Sequence, residues 1–222
     1  IAKSLPEKRQ NLLFSATMPP KIRTLATKLL DKPASISLAI SKPAAGITQS
    51  AYMCHDSQKV NLVREILKAK GNGLSHVLIF ASSIKSVREI KRTLNRAGMR
   101  ASEMHSGLDQ SEREETIRDF KNKKIKILVA TDILSRGIDI QEIELVINYE
   151  VPHDAEDYVH RIGRTARADK TGEAITFINP KQVRNFMDIE KLIEKEVPKL
   201  ALPKGFEKAP EYKIIPRNKK KK

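Results

Sequence analysis

Cysteine and tryptophan are almost absent from this chain, which excludes several classes of protein. Cys54 is the only cysteine among the 222 residues, and there is no tryptophan. A single cysteine cannot form a disulfide within the chain, so a disulfide-stabilised scaffold is excluded and a reducing, cytoplasmic compartment is expected. No apolar run reaches membrane-spanning length, and no signal-peptide pattern is present. From these absences we expect no membrane partner. Because the chain begins at Ile1 without Met, we expect it to be a piece of a longer protein.

The motifs that build a nucleotide site are also missing. The sequence contains no G-x-x-x-x-G-K-[ST] phosphate loop, and no predicted strand ends in an acidic pair suited to Mg²⁺. We therefore expect this chain to hold groups that can complete a nucleotide-binding site, but to lack the phosphate loop and the Mg²⁺ ligands on which such a site is built.

Acidic residues are few relative to basic ones. The chain has 42 Lys and Arg against 27 Asp and Glu, for a formal net charge of +15. Such an excess favours a polyanionic partner, with RNA or DNA ahead of a membrane surface. The residues from 199 to 222 hold nine basic side chains against Glu207 and Glu211. We predict that 198–222 is a basic extension that runs over the surface or is mobile.

Apolar strands alternate with amphipathic helices from Ile47 onward. This alternation predicts an α/β domain over 47–197, with a mostly parallel sheet covered on both faces. The predicted strands are 47–55, 76–81, 100–105, 124–131, 145–149 and 173–178. The predicted helices are 58–69, a helix from Ser82 or Ser83 to Gly98, 109–120, 154–166 and 181–193.

The first 46 residues fall outside this repeating pattern. Leu12, Leu13 and Phe14 read as a short buried strand, and a helix is predicted after Pro19. Because this pair has no neighbouring strands of its own, we assign 1–32 to the end of a preceding domain. Residues 33–46 contain two prolines and a glycine, which predicts a linker.

The segment HSGLDQSERE, residues 105–114, is a candidate phosphate site. Gly107 permits a tight turn after the strand, and Asp109 with Glu112 forms a capping-box pattern. Gln110 and Arg113 then share one face of the first helical turn, and a helix start beside an arginine suits a phosphate. The alternative is an ordinary capped surface helix.

The segment ATDILSRGIDI, residues 130–140, follows another strand. A Thr131 hydroxyl suits a phosphate oxygen, and an aspartate can accept hydrogen bonds from ribose hydroxyls. In the alternative interpretation, Asp132 caps a helix and Asp139 pairs with Arg136.

The segment YVHRIGRTARA, residues 158–168, concentrates positive charge. If it is helical, His160, Arg164 and Arg167 share one face at spacing i, i+4 and i+7, which costs a few tenths of a kcal/mol for each like-charged pair. An anion docked against this basic stripe would offset that cost. Arginine suits a transferring phosphoryl group because it is always charged and binds bidentately. The alternative is a solvated face in which Asp157 pairs with Arg161 and Glu156 with His160.

These motifs, together with FSAT at 14–17 and VLIFASS at 77–83, resemble in order and spacing the later motifs of DEAD-box RNA helicases. The context HRIGRTARADKTGEAITFINP and the basic tail are most similar to the bacterial RhlE-like branch. The resemblance implies a RecA-like three-layer α/β/α domain, the second of two such helicase domains. It also implies an ATP-dependent enzyme that unwinds short RNA duplexes as ATP closes the two domains.

The resemblance assigns a role to each motif residue. Arg164 and Arg167 match the catalytic arginine fingers that contact ATP, and Asp139 matches an ATP-ribose contact. The residues that match RNA-phosphate contacts are Gly107, Arg113 and Thr131. The residues that match interdomain coupling positions are Ser15, Thr17, Gln110, Arg136, His160 and Arg161. Many family members have glycine where this chain has Ala166, but a small residue is retained.

The expected cofactor is ATP with Mg²⁺ in the full-length enzyme, with the metal ligands in the preceding domain. The expected partners are RNA, held through its backbone, the N-terminal RecA-like domain, and factors of ribosome assembly or RNA decay. This chain alone is expected to lack ATPase activity. Two other functions stay open at this point: a non-catalytic basic RNA-binding module, and an unrelated phosphate-handling α/β enzyme.

Overall fold

The structure is a computed structural model of the chain. It describes residues 6, 8–15, 20–36, 46–132, 143–165 and 171–214. The chain divides into two compact units, residues 1–40 and residues 41–222. The linker predicted over 33–46 lies largely outside the described residues.

The first unit contains helix α1, Pro20–Leu29, and no strand among its described residues. The strand predicted at Leu12–Phe14 is therefore wrong. A strand needs a hydrogen-bonding neighbour, and this part of the chain supplies none. Leu12 and Phe14 are instead 69% and 89% exposed. The Asn11 Nδ2 atom donates to the Leu29 carbonyl at 3.1 Å, which joins the segment to the end of α1.

The second unit is built on a seven-stranded sheet in which every pairing is parallel. Along the chain the strands are β1 Ile47–Met53, β2 Val77–Phe80, β3 Ala101–Met104, β4 Ile127–Ala130, β5 Leu145–Asn148, β6 Gly172–Ile178 and β7 Lys199–Leu200. Their order across the sheet is β3-β4-β2-β5-β6-β1-β7. The parallel sheet predicted from the alternation is confirmed.

Helices cover both faces of this sheet. They are α2 Asp56–Lys70, α3 Ile84–Arg96, α4 Gln110–Lys121, α5 Ala155–Ile162 and α6 Val183–Ile193. On one face, α2 and α3 pack against alternate residues of the strands, such as Ile79 and Val129. On the other face, α4 packs beneath Leu128, and α5 and α6 pack beneath β1 and β6. This is the predicted three-layer architecture. No helix in the described part of the chain is long and apolar enough to cross a membrane.

Helix α5 is shorter than predicted. The sequence indicated a helix over 154–166, but α5 ends at Ile162 and Gly163 forms its C-cap. The Gly163 N–H donates to the Val159 carbonyl at 2.8 Å, and a Cβ on Gly163 would lie 3.0 Å from that oxygen. The glycine therefore stands at the end of the helix rather than inside it.

Residues 199–214, here called the C-terminal strap, lie where the sequence predicted an extension that runs over the surface or is mobile, and all of them are exposed or half-buried. Strand β7 pairs with the edge of β1, and Leu202 and Phe206 then pack on the core of α2 and α3. Tyr212 packs on the opposite core beneath α6, where its hydroxyl donates to Glu190 Oε2 at 2.7 Å. The strap thus wraps around one edge of the sheet. Hydrophobic residues spaced among its lysines and prolines supply the packing that the composition did not suggest.

At the opposite edge, a side chain covers part of β3. Within β3, alternate residues direct their backbone N–H and carbonyl groups to opposite sides. The Met104 carbonyl accepts from the N–H of Thr131, which follows β4, so Met104 faces β4 and Ala101 faces away from it. Asn95 at the end of α3 binds both Ala101 groups: its Nδ2 donates to the carbonyl at 3.1 Å, and its Oδ1 accepts from the N–H at 2.8 Å. The Asn95 amide therefore takes the place of a neighbouring strand at this residue.

Candidate functional site

Gly107, Arg113 and Thr131, predicted to bind phosphates, are arranged around the carboxyl ends of β3 and β4. Thr131 directly follows β4, and its N–H donates to the Met104 carbonyl at the end of β3 at 3.1 Å. Gly107 lies in the turn after β3, and Arg113 in the first turns of α4. The parallel sheet brings these residues together, as expected for ligand sites at the ends of parallel strands.

Gly107 is required by a close approach to the ring of His105. Its N–H donates to His105 Nδ1 at 3.1 Å. A Cβ at this position would lie 3.2 Å from Nδ1 and 3.3 Å from Cε1 of that buried ring. Any larger residue would push the ring or open the turn, so the turn presents bare backbone at the end of β3.

Arg113 holds this turn through one hydrogen bond, and one nitrogen of its guanidinium has no hydrogen-bond partner in the described structure. Its Nη2 donates to the Ser106 carbonyl at 3.1 Å. Its Nε is buried and has no hydrogen-bond partner in the described structure. A buried donor without a partner is costly, and a phosphate oxygen would satisfy it.

The start of α4 agrees with the sequence prediction. Asp109 Oδ1 accepts from Glu112 N–H at 2.8 Å, and Glu112 Oε2 accepts from Asp109 N–H at 2.9 Å, which completes the capping box. Gln110 is exposed, and its amide donates to Glu114 rather than to the phosphate turn.

An arginine–aspartate pair joins the second and third motifs. Arg161 Nε and Nη2 donate to the two oxygens of Asp132 at 2.7 and 2.8 Å. Arg161 is 4% exposed, whereas the Asp132 side chain is 50% exposed. Bidentate pairs of this kind are both strong and geometrically specific. The alternative pairing of Arg161 with Asp157 is therefore wrong, and the 29-residue separation left no local signal for the true partner.

The guanidinium of Arg161 is held on its other sides as well. It lies 5.2 Å from the centre of the Phe80 ring, and Nη1 donates to Asn148 Oδ1 at 3.5 Å and to the Glu150 carbonyl at 3.4 Å. Burial raises the pKa of Glu150, although the Ser82 N–H and the nearby Lys59 partly offset this. The packing fixes Arg161 in one orientation at the ends of β2 and β5.

Arg164 is placed between two fixed points. Its N–H donates to the Arg161 carbonyl at 3.2 Å. The next residue, Thr165, is 1% exposed, forms a parallel bridge with Ile143, and donates its hydroxyl to the Ile143 carbonyl. The backbone on both sides of the half-buried Arg164 is therefore held in place by hydrogen bonds.

The helical stripe predicted for His160, Arg164 and Arg167 is wrong as a single helix face. Helix α5 ends at Ile162, so Arg164 follows a turn rather than continuing the helix. His160 is half-buried and makes no ion pair with Glu156 among the described residues, so that alternative also fails.

Several predicted residues lie outside the described structure: Thr17, Arg136, Asp139 and Arg167. Ser15 belongs to the unit formed by residues 1–40. Their roles stay predictions.

A polar cluster at the ends of β1 and β6 was not predicted. Asn179 Nδ2 donates to both Asp56 oxygens at 3.0 and 3.1 Å, and the Lys59 ammonium lies 2.8 Å from Asp56 Oδ1. Burial raises the pKa of Asp56, but the hydrogen bonds from Asn179 and Lys59 outweigh it and hold the pKa below its usual value. Lys59 is only 1% exposed. The β6 end of this cluster follows a strand without a sequence motif, which is why it escaped prediction.

No cluster of three His, Cys, Asp or Glu side chains that could hold a metal occurs among the described residues. The Arg113 guanidinium at the phosphate turn suits an anion.

Comparison with known proteins gives the family. The helicase conserved C-terminal domain family matches residues 58–169. The DEAD-box ATP-dependent RNA helicase CshA of Geobacillus kaustophilus is 35% identical over 204 residues, covering 91% of this chain and 43% of that protein. The chain therefore spans less than half the length of this relative.

Solved structures agree. A DEAD box protein from the hyperthermophile Methanococcus jannaschii is 38% identical with a TM-score of 0.66, covering 90% of this chain and 53% of that one. S. cerevisiae Dbp5 bound to RNA and ADP BeF3 is 29% identical with a TM-score of 0.77, covering 89% of this chain and 53% of that one.

The fold and its motifs define the C-terminal RecA-like domain of a helicase. More narrowly, the chain belongs to the DEAD-box RNA helicases and corresponds to their C-terminal half. The RhlE-like placement stays a prediction.

Proposed function

We propose that this chain is the C-terminal half of a cytoplasmic, ATP-dependent enzyme that unwinds short RNA duplexes. In this proposal the chain supplies one half of the RNA site and the arginines that act on ATP. The partner half supplies the phosphate loop and the Mg²⁺ ligands. The buried free thiol of Cys54 suits a reducing compartment.

The observation that carries the proposal is the bidentate Arg161–Asp132 pair. It connects the residue after β4, beside Thr131, to the end of α5, from which Arg164 follows three residues later. The candidate RNA contact and the candidate ATP contact are thus joined by one ion pair. A change in the position of either is transmitted to the other through it.

The proposed chemistry follows from the side chains. The Arg113 guanidinium and the bare turn at Gly107 receive RNA phosphate oxygens. Arg164 binds the γ-phosphate of ATP supplied by the partner half and stabilises charge that develops as the phosphoryl group transfers. Because these are contacts to backbone phosphates, little base specificity is expected.

The test is Arg164→Ala in the full-length enzyme. Loss of an arginine finger lowers hydrolysis by about 10³-fold or more, and the loss should fall mainly on kcat because the finger acts on the transition state. Arg164→Lys should not restore the full rate, since an ammonium lacks the bidentate geometry. RNA-stimulated ATPase rates and separate RNA and nucleotide titrations measure these effects.

The 222-residue chain alone serves as a control, and we expect it to bind RNA without hydrolysing ATP. If Arg164→Ala hydrolysed ATP at the wild-type rate while losing RNA affinity, the residue would belong to an RNA-binding face. The non-catalytic RNA-binding module would then be the better description.

A further inference from the structure

Helix α3 carries three arginines that form no ion pair among the described residues. Arg88, Arg92 and Arg96 recur every four residues on its outer face and are all exposed. Within the described parts of the chain, no carboxylate lies within salt-bridge distance of any of them. We call these three residues the arginine ridge. Together with Lys91, Asn95 and Glu103 they line a shallow depression of about 550 Å³ between α3 and the edge strand β3.

The ridge is not needed to build the helix. The inner face of α3 is supplied by Val87, Ile90 and Leu94, which are fully buried. Like charges four residues apart destabilise a helix by a few tenths of a kcal/mol for each pair. The neighbouring Lys91 differs from the ridge, because its ammonium pairs with Glu103 of β3 at 3.2 Å. A lysine beside the ridge is thus neutralised while the three arginines are not.

The ridge begins next to the phosphate turn. Ile84 is the first residue of α3, and its Cδ1 lies 3.7 Å from the position that a Cβ on Gly107 would take. At 1.5 Å per residue, the three ridge arginines follow at about 6, 12 and 18 Å from Ile84 along the helix axis. Stacked nucleotides advance about 3.4 Å each, so the ~12 Å from Arg88 to Arg96 correspond to about three to four nucleotides, and the ~18 Å from Ile84 to about five.

We propose that the arginine ridge binds the sugar-phosphate backbone of single-stranded RNA that continues past the Gly107 turn. The inference rests on the proposed RNA site and adds a second segment to it. Arginine at all three positions favours phosphate, which it binds bidentately, and the ridge starts where the phosphate turn ends. An acidic protein segment is the alternative occupant, and it has no such reason to begin beside Gly107.

The test compares short and long RNA on the whole 222-residue chain. Binding of a 6-nucleotide and a 15-nucleotide single-stranded RNA is measured by fluorescence anisotropy at several salt concentrations. For the double variant Arg92→Gln/Arg96→Gln we expect unchanged 6-nucleotide binding and about tenfold weaker 15-nucleotide binding. The salt dependence for the long RNA should fall by about 1.4 in log–log slope, since each phosphate contact to a single strand contributes about 0.7.

The matched control is Arg184→Gln/Lys191→Gln. These two exposed residues lie on α6, which packs on the opposite face of the sheet, and the control removes the same charge. We expect the control to bind both RNAs nearly as the wild type does. Equal loss in the two double variants would show a non-specific charge effect and overturn the proposal.

Two other outcomes separate the inference from the proposed function. If the 6-nucleotide RNA binds and depends on Arg113, but the longer RNA gains nothing from the ridge, the ridge proposal alone fails. If a poly-glutamate peptide binds as tightly as the long RNA and loses affinity in the ridge variant, the surface belongs to an acidic protein partner. Failure of the 6-nucleotide RNA to depend on Arg113 would instead count against the RNA site itself.

Discussion

The carboxyl ends of the strands lie along one edge of the sheet. The polar side chains that follow β1 and β6 are paired differently from those that follow β3 and β4. Where β1 and β6 end, the buried Lys59 ammonium lies 2.8 Å from the exposed carboxylate of Asp56, which also accepts two hydrogen bonds from Asn179. Where β3 and β4 end, the Arg113 guanidinium keeps a buried Nε without a partner. The first cluster is closed in the sense that its cation pairs with its own carboxylate, which stabilises the fold. In the second, Arg113 pairs with no carboxylate among the described residues, so its charge is left for an anionic ligand.

The largest expected effect is a loss of stability at the closed cluster. Lys59→Ala removes a buried side chain that pairs with Asp56 and lies 5.6 Å from the Tyr149 ring centre. We expect the free energy of unfolding to fall by about 2–4 kcal/mol, measured by urea denaturation, with little change in RNA affinity. Lys68→Ala, at an exposed lysine of the same helix, should change it by less than about 0.5 kcal/mol. Equal losses in the two variants would contradict the comparison.

Arg113→Ala should have the reverse pattern. RNA affinity should fall about tenfold, because a charge-assisted contact to phosphate is lost. Stability should fall by no more than about 1 kcal/mol, because one hydrogen bond to Ser106 is given up while an unsatisfied Nε is removed. Arg118→Ala is the control on the same helix, where the side chain is 65% exposed and pairs with Glu115. A large stability loss with normal RNA binding would show that Arg113 is structural.

The smallest effect concerns pH. The folded pKa of Asp56 lies below its unfolded value, so the aspartate contributes stability above the unfolded pKa of about 3.8. That contribution is lost as pH falls through the folded pKa. Urea midpoints of the wild type and Asp56→Asn should therefore converge as the pH is lowered from 6 to 3. A difference that stays constant over this range would show that the Asp56 charge does not stabilise the cluster.

The sheet was predictable because its strands are continuous apolar runs separated by turn signals. His76–Ala81 was predicted and Val77–Phe80 found, all four residues being buried from both faces. The capping box at Asp109 was equally predictable, because it depends on residues three apart. Elements that depend on residues close to one another in the chain can therefore be predicted from the sequence.

Two features escaped prediction because their decisive contacts are distant in sequence. The partner of Arg161 is Asp132, 29 residues away, and Tyr212 of the C-terminal strap reaches Glu190 on α6. The strand predicted at Leu12–Phe14 has the right composition but no neighbouring strand among the described residues. The end of α5 is different, because Gly163 contacts Val159 four residues earlier and is therefore a local signal for the end of the helix.

The Asn95 contact with β3 has a consequence for how the protein behaves at high concentration. An open edge strand can recruit a strand from another copy, which is a route to aggregation. Only Ala101 and Glu103 of the four β3 residues direct their backbone groups outward, and Asn95 already occupies those of Ala101. One outward residue is too few to align a second chain. A single amide at the end of α3 thus makes the β3 edge a poor template for another strand while leaving the arginines beside it exposed to solvent.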